Sequence, residues 1–209
     1  MKAGPIAEPT NARSRRTRAA LLAAARTILE HDGFEALTMT AVAERVGVTR
    51  RSVYLHFPTR AALVGALFDF NAESEGLHES LRRVWDAPDA VSALDGWAAH
   101  LAEYHIRLMA VDRAIERVRH DDDDAAAVRR RVVAEKLQNA RRLARRLEHE
   151  GRLKKPWTAA TATDMLYALI SSDMIEALTV DRRWSRRRLA EHLSQLFRAT
   201  FVGPPEPSC

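Results

Sequence analysis

The sequence predicts an all-α protein of about nine helices, and three observations carry that reading. Apolar residues recur at three- and four-residue spacing in one stretch after another. No run alternates apolar with polar residues as a half-buried strand would, and no internal repeat is present. Helix-starting hydroxyls and helix-stopping glycines or prolines fall at the ends of the periodic stretches. The expected layout is a disordered amino-terminal tail over 1–12, a small helical unit over 13–60, a larger one over 61–203 and a flexible tail over 204–209.

The first helix is expected from about Thr17 to His31, with Leu21, Leu22, Ala25, Ile28 and Leu29 on one face and a stop at Asp32-Gly33. Residues 38–60, TMTAVAERVGVTRRSVYLHFPTR, then read as two short helices joined by a glycine turn. Val42, Ala43, Val46, Val48 and Val53 fall where steeply crossing helices touch, and Gly47 supplies the positive φ of the turn. The Thr49 hydroxyl is placed to cap the second helix, with Val48 stapled on Val53. Arg50, Arg51, Ser52, Tyr54 and His56 are left facing outward, all able to donate hydrogen bonds. A basic, donor-rich second helix is the pattern of a helix-turn-helix laid in a DNA major groove. Arg50 and Arg51 are read as contacts to base edges or phosphate, because arginine pairs bidentately with guanine.

Gly33-Phe34, Thr38, AERVGVT (43–49), SVYLHFPTR (52–60) and Leu63 together resemble the TetR family of bacterial transcriptional regulators. The resemblance covers about a quarter of the chain and is one of layout only beyond Leu63. It implies that Tyr54 and His56 reach the backbone or base edges, while Thr40, Ser52 and Arg60 clamp phosphates. The family usually carries lysine at the position of Arg60, and arginine keeps the charge and reach. Thr17, Thr38 and Thr49 are read as helix caps first and DNA contacts second. Arg13, Arg15, Arg16 and Arg18 read either as a solvated basic lead into helix 1 or as a flexible arm on DNA.

A fourth helix is expected after Pro58, capped by Thr59, with an apolar stripe Leu63, Leu67, Phe70, Leu77, Leu81 and Val84 bent at Gly76. A fifth follows from about Pro88 to Ala110, with Trp97, Leu101, Tyr104 and Leu108 on one side, then a short one around 113–120. The acids Asp121–Asp124 are read as helix-start chemistry rather than a metal site, because their spacing offers no ligand set. The helix they open should run to Glu150 and stop at Gly151, its arginines over 129–146 forming a charged outer face. Residues 159–180 read as a helix apolar on nearly every side, and 185–202 as one with Leu189, Leu193, Leu196, Phe197 and Phe201 on one face. Trp184 is expected to staple onto Leu189.

By resemblance, these last two helices pair with their copies in a homodimer, through Met174, Leu178, Leu189, Leu193, Leu196, Phe197 and Phe201. Also by resemblance, the larger unit holds a pocket for an unknown small-molecule inducer. Its candidates are the amphipathic Trp97, His100, Tyr104, Met165, Ser172 and Asp173; core packing is the other reading of Trp97 and Tyr104, and an arginine partner that of Asp173.

Charge supports a DNA-binding head: residues 1–60 hold ten Lys/Arg against five Asp/Glu, while residues 61–209 hold 23 of each. The single cysteine, Cys209, allows no intrachain disulfide, no secretory h-region opens the chain and no run of 18 apolar residues occurs, so a cytoplasmic protein is expected. No P-loop, GxGxxG, HExxH or GxSxG is present, so neither catalytic residues nor a cofactor or metal is expected. The function expected is a ligand-responsive repressor on a palindromic double-stranded operator. The alternatives are an activator, a ligand-independent regulator, or a small-molecule-binding or catalytic helical protein.

Overall fold

In the computed structural model, which describes residues 11–74 and 76–204, eleven α-helices carry the chain and no strand forms among those residues. Among the described residues extended pairing is confined to one isolated antiparallel bridge, Leu153 with Val202. Of the tails expected over 1–12 and 204–209, residues 1–10 and 205–209 lie outside the described residues, and Ala12 already belongs to the first helix. Among the described residues no helix is long and apolar enough to cross a membrane. The chain divides into two compact units, Met1–Ser74 with Ala110–Arg129 and Glu75–Met109 with Arg130–Cys209. This division groups the helix after residue 60 with the head, because its Leu63, Val64 and Leu67 are fully buried and it packs on the first helix.

In the first unit, α1 spans Ala12–His31 and is capped by Asn11, whose Oδ1 accepts from the Ser14 amide at 2.7 Å. It therefore starts five residues before Thr17, and arginines 13–18 belong to its first turns rather than to an arm. Arginine is a good helix former and asparagine a strong cap, so the run extends as far as Asn11 allows. Thr17 is not a cap; its hydroxyl donates to the Arg13 carbonyl one turn back, at 3.1 Å. Helix α2 (Met39–Val46) is capped by Thr38, and α3 (Arg50–His56) by Thr49, each hydroxyl accepting a backbone N–H. Between them Gly47 adopts φ 74° and ψ 34°, the left-handed conformation read from the sequence. Helix α4 (Arg60–Ser74) begins at Thr59, whose hydroxyl accepts from Ala62 at 3.0 Å.

The second unit is built on α6 (Ala90–His100), against which α5 (Leu77–Trp85) and α11 (Arg186–Phe201) pack. Leu94, Trp97, Leu101, Leu143, Leu147, Leu166, Leu189 and Phe197 form its core. The stripe expected to continue from Leu63 to Val84 is split, because Gly76 takes φ 73° and ends one helix before the next begins. After α6 the chain widens into a π-helical turn, Leu101–His105, and runs on as α7 (Ile106–Val118), so the short helix expected near 113 is not separate. Helix α8 spans Asp123–His149.

The helix expected over 159–180 is also broken. It forms α9 (Ala159–Ala168), α10 (Ser172–Glu176) and a π-helical turn at Ala177–Asp181. Ser171 caps α10 through a hydrogen bond from the Met174 amide, and that local bond competes with helix continuation. The segment is not buried all round, since Met165 and Val180 stand exposed. Trp184 packs against the core cluster that contains Leu189, with the Arg188 guanidinium 4.5 Å from its ring and the edge of His192 beside it.

Gly47 has no atom within 4 Å of where a Cβ would stand, so its substitution is penalised by backbone conformation alone. Gly47→Ala should cost about 1 kcal/mol and Gly47→Asn less. Amide hydrogen exchange should read this as faster opening of α2 and α3 in the alanine variant; unchanged protection would refute it.

Candidate nucleic-acid interface

The rotation of α3 is set by Val53, which is fully buried, with Phe57 at its end equally so. At 3.6 residues per turn, burying Val53 aims Arg51 and Leu55 away from the protein and Arg50 and Tyr54 to one flank. Arg50, Arg51, Tyr54 and Leu55 are the exposed residues of this helix, while Ser52 and His56 are half-buried. Arg50 Nη2 donates to Tyr54 Oη at 3.1 Å with its guanidinium 5.4 Å from the ring centroid, an exposed and readily exchanged contact. Arg51 has no hydrogen-bond or ion-pair partner among the described residues. Thr40 is exposed on α2, and Thr38 and Thr49 use their hydroxyls as caps. His56 lies beside Phe57; burial first, and then the charge of Arg18, lower its pKa.

Arg60 is placed differently from the expectation of a phosphate clamp. Its guanidinium is ion-paired with Asp122, donates to Asp124 at 3.3 Å, and lies over the Phe34 ring at 4.8 Å. A cation with two carboxylates and a ring face is not available to a phosphate without breaking those contacts. Asp122 also caps α8, accepting from the Ala125 amide at 3.0 Å, as helix-start chemistry requires. Burial works to raise the Asp122 pKa, but hydrogen bonds from Ala125 and Arg60 outweigh it and the net direction is down.

The charge division expected from the sequence changes with this grouping. The first unit contains 14 basic and 13 acidic residues, and the second 19 and 15. The head is therefore not basic as a whole; its positive character is local to α3 and the start of α1, where Arg13 and Arg16 are exposed.

In the second unit three of the expected ligand residues come together. Trp97, His100 and Tyr104 form a buried column, with ring centroids 5.0 and 5.2 Å apart and near-parallel planes. The spacings of three and four residues put all three rings on one helix face, and Tyr104 lies in the π-helical turn. Ser80, unremarkable in the sequence, fixes the imidazole through a 2.9 Å contact between its Oγ and His100 Nδ1. Trp97 Nε1 is buried with no hydrogen-bond partner. Met165 and Asp173 are exposed and Ser172 is half-buried, unlike the three buried rings.

The expected dimer residues also divide. Leu189, Leu193, Phe197 and Phe201 are buried inside the subunit, since this face of α11 is covered by α6 and the π-helical turn. A face already covered has no surface to offer a second subunit. Met174 and Leu178 are half-buried, and Leu196 is 41% exposed.

His100 is 4% exposed, and burial, helped by the charge of Arg83, lowers its pKa from 6.5 to about 4. The folded state thus binds this proton less readily than the unfolded chain. Its contribution is intact above pH 6.5 and is lost as pH falls toward 4. Between pH 7 and 5 the loss should be about 2 kcal/mol. Urea midpoints should show it, and His100→Phe, which keeps a ring in the stack, should flatten the dependence; an equally steep profile in the variant would refute the assignment.

Comparison with known proteins agrees with this geometry. The profile of "Bacterial regulatory proteins, tetR family" matches residues 21–67, the segment from α1 into α4. The HTH-type transcriptional regulator TtgR of Pseudomonas putida is 35% identical over 85 residues, 41% of this chain and 39% of TtgR. The chain thus matches about two-fifths of the length of that relative. Over the whole fold it is similar to NalD, the secondary repressor of the MexAB-OprM multidrug efflux pump in Pseudomonas aeruginosa, with TM-score 0.70 and 22% identity across 91% of this chain and 98% of NalD. It is also similar to SmeT, repressor of the Stenotrophomonas maltophilia multidrug efflux pump SmeDEF, in its triclosan complex, with TM-score 0.68 and 20% identity across 93% and 99%. Residues 21–67 thus match the DNA-binding domain of the tetR family, and the fold over nine-tenths of the chain is similar to that of NalD and SmeT.

Proposed function

We propose that this protein is a homodimeric, ligand-responsive transcriptional repressor that releases a palindromic DNA operator when a small molecule binds. The observation that carries the reading is α3, a seven-residue helix rotated by buried Val53 so that Arg50, Arg51 and Tyr54 face solvent. Two such helices, one per subunit, would enter successive major grooves. NalD and SmeT, similar in fold, are repressors of efflux pumps, and SmeT is seen with triclosan. The Trp97–His100–Tyr104 column, whose buried Trp97 N–H has no acceptor, supports an aromatic or apolar effector here. Release requires that the effector favour one head arrangement over the other; affinity alone shifts nothing. Among the expected dimer residues, Met174, Leu178 and Leu196 retain surface for a partner, joined by exposed Met165 and Val180.

A gel shift with the promoter region of its own gene tests the DNA reading. Binding should weaken steeply as salt rises, and Arg50→Ala with Arg51→Ala should abolish preference for that promoter without altering the melting profile. Full affinity in the double variant would overturn the assignment. Arg60→Gln should instead leave the salt slope unchanged, because that guanidinium is committed to Asp122 and Asp124.

A further inference from the structure

We infer that Leu55 reads the C5-methyl group of a thymine in the major groove, beside a base contacted by Arg51. The inference rests on the proposal that the head binds duplex DNA, and it adds a specificity residue of different chemistry from the polar face. Leu55 is 78% exposed, the most exposed large hydrophobic side chain among the described residues. A single exposed leucine is ordinarily unremarkable. Its position is what gives it meaning.

Helical geometry sets Leu55 about 200° around α3 from Val53, and Arg51 about 160°. These two residues, four apart and therefore neighbours on the helix surface, form the crest of the helix. Any groove that receives α3 meets them first. The major groove offers Arg51 the guanine N7 and O6 acceptors, whereas the one apolar group it offers Leu55 is the thymine methyl. Opposite any other base edge, the leucine would desolvate polar groups that it cannot pair. The four-residue rise along the helix is about 6 Å, so the two contacts should fall within about two base-pair steps of each other.

Duplexes selected from a randomised library by the full-length protein supply the probe. Each selected site is resynthesised with deoxyuridine replacing one thymidine at a time, which removes only the methyl group. At one thymine per half-site the wild-type protein should bind the deoxyuridine duplex about three- to fivefold more weakly. Leu55→Ala should melt like the wild type and bind the thymidine and deoxyuridine duplexes equally. Indifference of the wild type at every thymine, full discrimination by Leu55→Ala, or selected sites without a common thymine would each overturn the inference while leaving DNA binding in place. Failure to select any duplex would overturn both this inference and the proposed function.

Discussion

Burial of one side chain, Val53, decides what α3 can do. A seven-residue helix does not persist alone in water, since nucleation is costly and too few bonds follow to offset it. It exists because Val53 and Phe57 are fully buried at its base and Thr49 occupies one of its orphan amides. Burying an aliphatic side chain of that size contributes about 1.5–3 kcal/mol, comparable to a cap and larger than any exposed charge contact on the helix. Once that residue is fixed, the rotation of the other six follows. The outward direction of Arg50, Arg51, Tyr54 and Leu55 is thus a consequence of core packing, not of their own chemistry.

Electrostatics sorts the cations that packing leaves in place. Arg60 belongs by sequence to the basic segment, yet Asp122 and Asp124 claim it, and Phe34 shields its other face. Arg18 lies over the Phe57 ring at 4.5 Å, where it supports the end of α3 rather than standing free. What remains for a polyanion is a small set on α3 and the first turns of α1. Local placement of a few unpaired cations, not the net charge of a segment, is the quantity relevant to phosphate binding.

Much of this was legible in the chain, and the division follows sequence distance. Thr38, Thr49 and Thr59 cap the helices they precede, and Gly47 turns left-handed, because caps and turns are decided within three or four residues. The partnership of Arg60 with Asp122 spans 62 residues and that of Ser80 with His100 spans 20, and no local pattern announces either. Helix breaks were harder to read. Periodicity continues across Gly76 and across 169–171, but a left-handed glycine and the Ser171 cap interrupt the backbone that carries it. For α11 the sequence showed an apolar face and could not say what covers it. Within the subunit α6 does, which returns Leu189, Leu193, Phe197 and Phe201 to the core.

The column at the end of α6 shows the opposite economy from α3. A core optimised only for stability would not bury a histidine held neutral by desolvation, nor leave an indole N–H without an acceptor. An unsatisfied buried donor costs about 1–3 kcal/mol, and aliphatic residues would have filled the same volume without that cost. The backbone beside it departs from α-helical geometry as well, opening into the π-helical turn that carries Tyr104. Such turns occur frequently at functional sites. Three departures from the cheapest packing therefore coincide within nine residues, 97–105, of an otherwise well-packed unit. Their coincidence sets the column apart from Met165 and Asp173, whose exposed positions show no such cost.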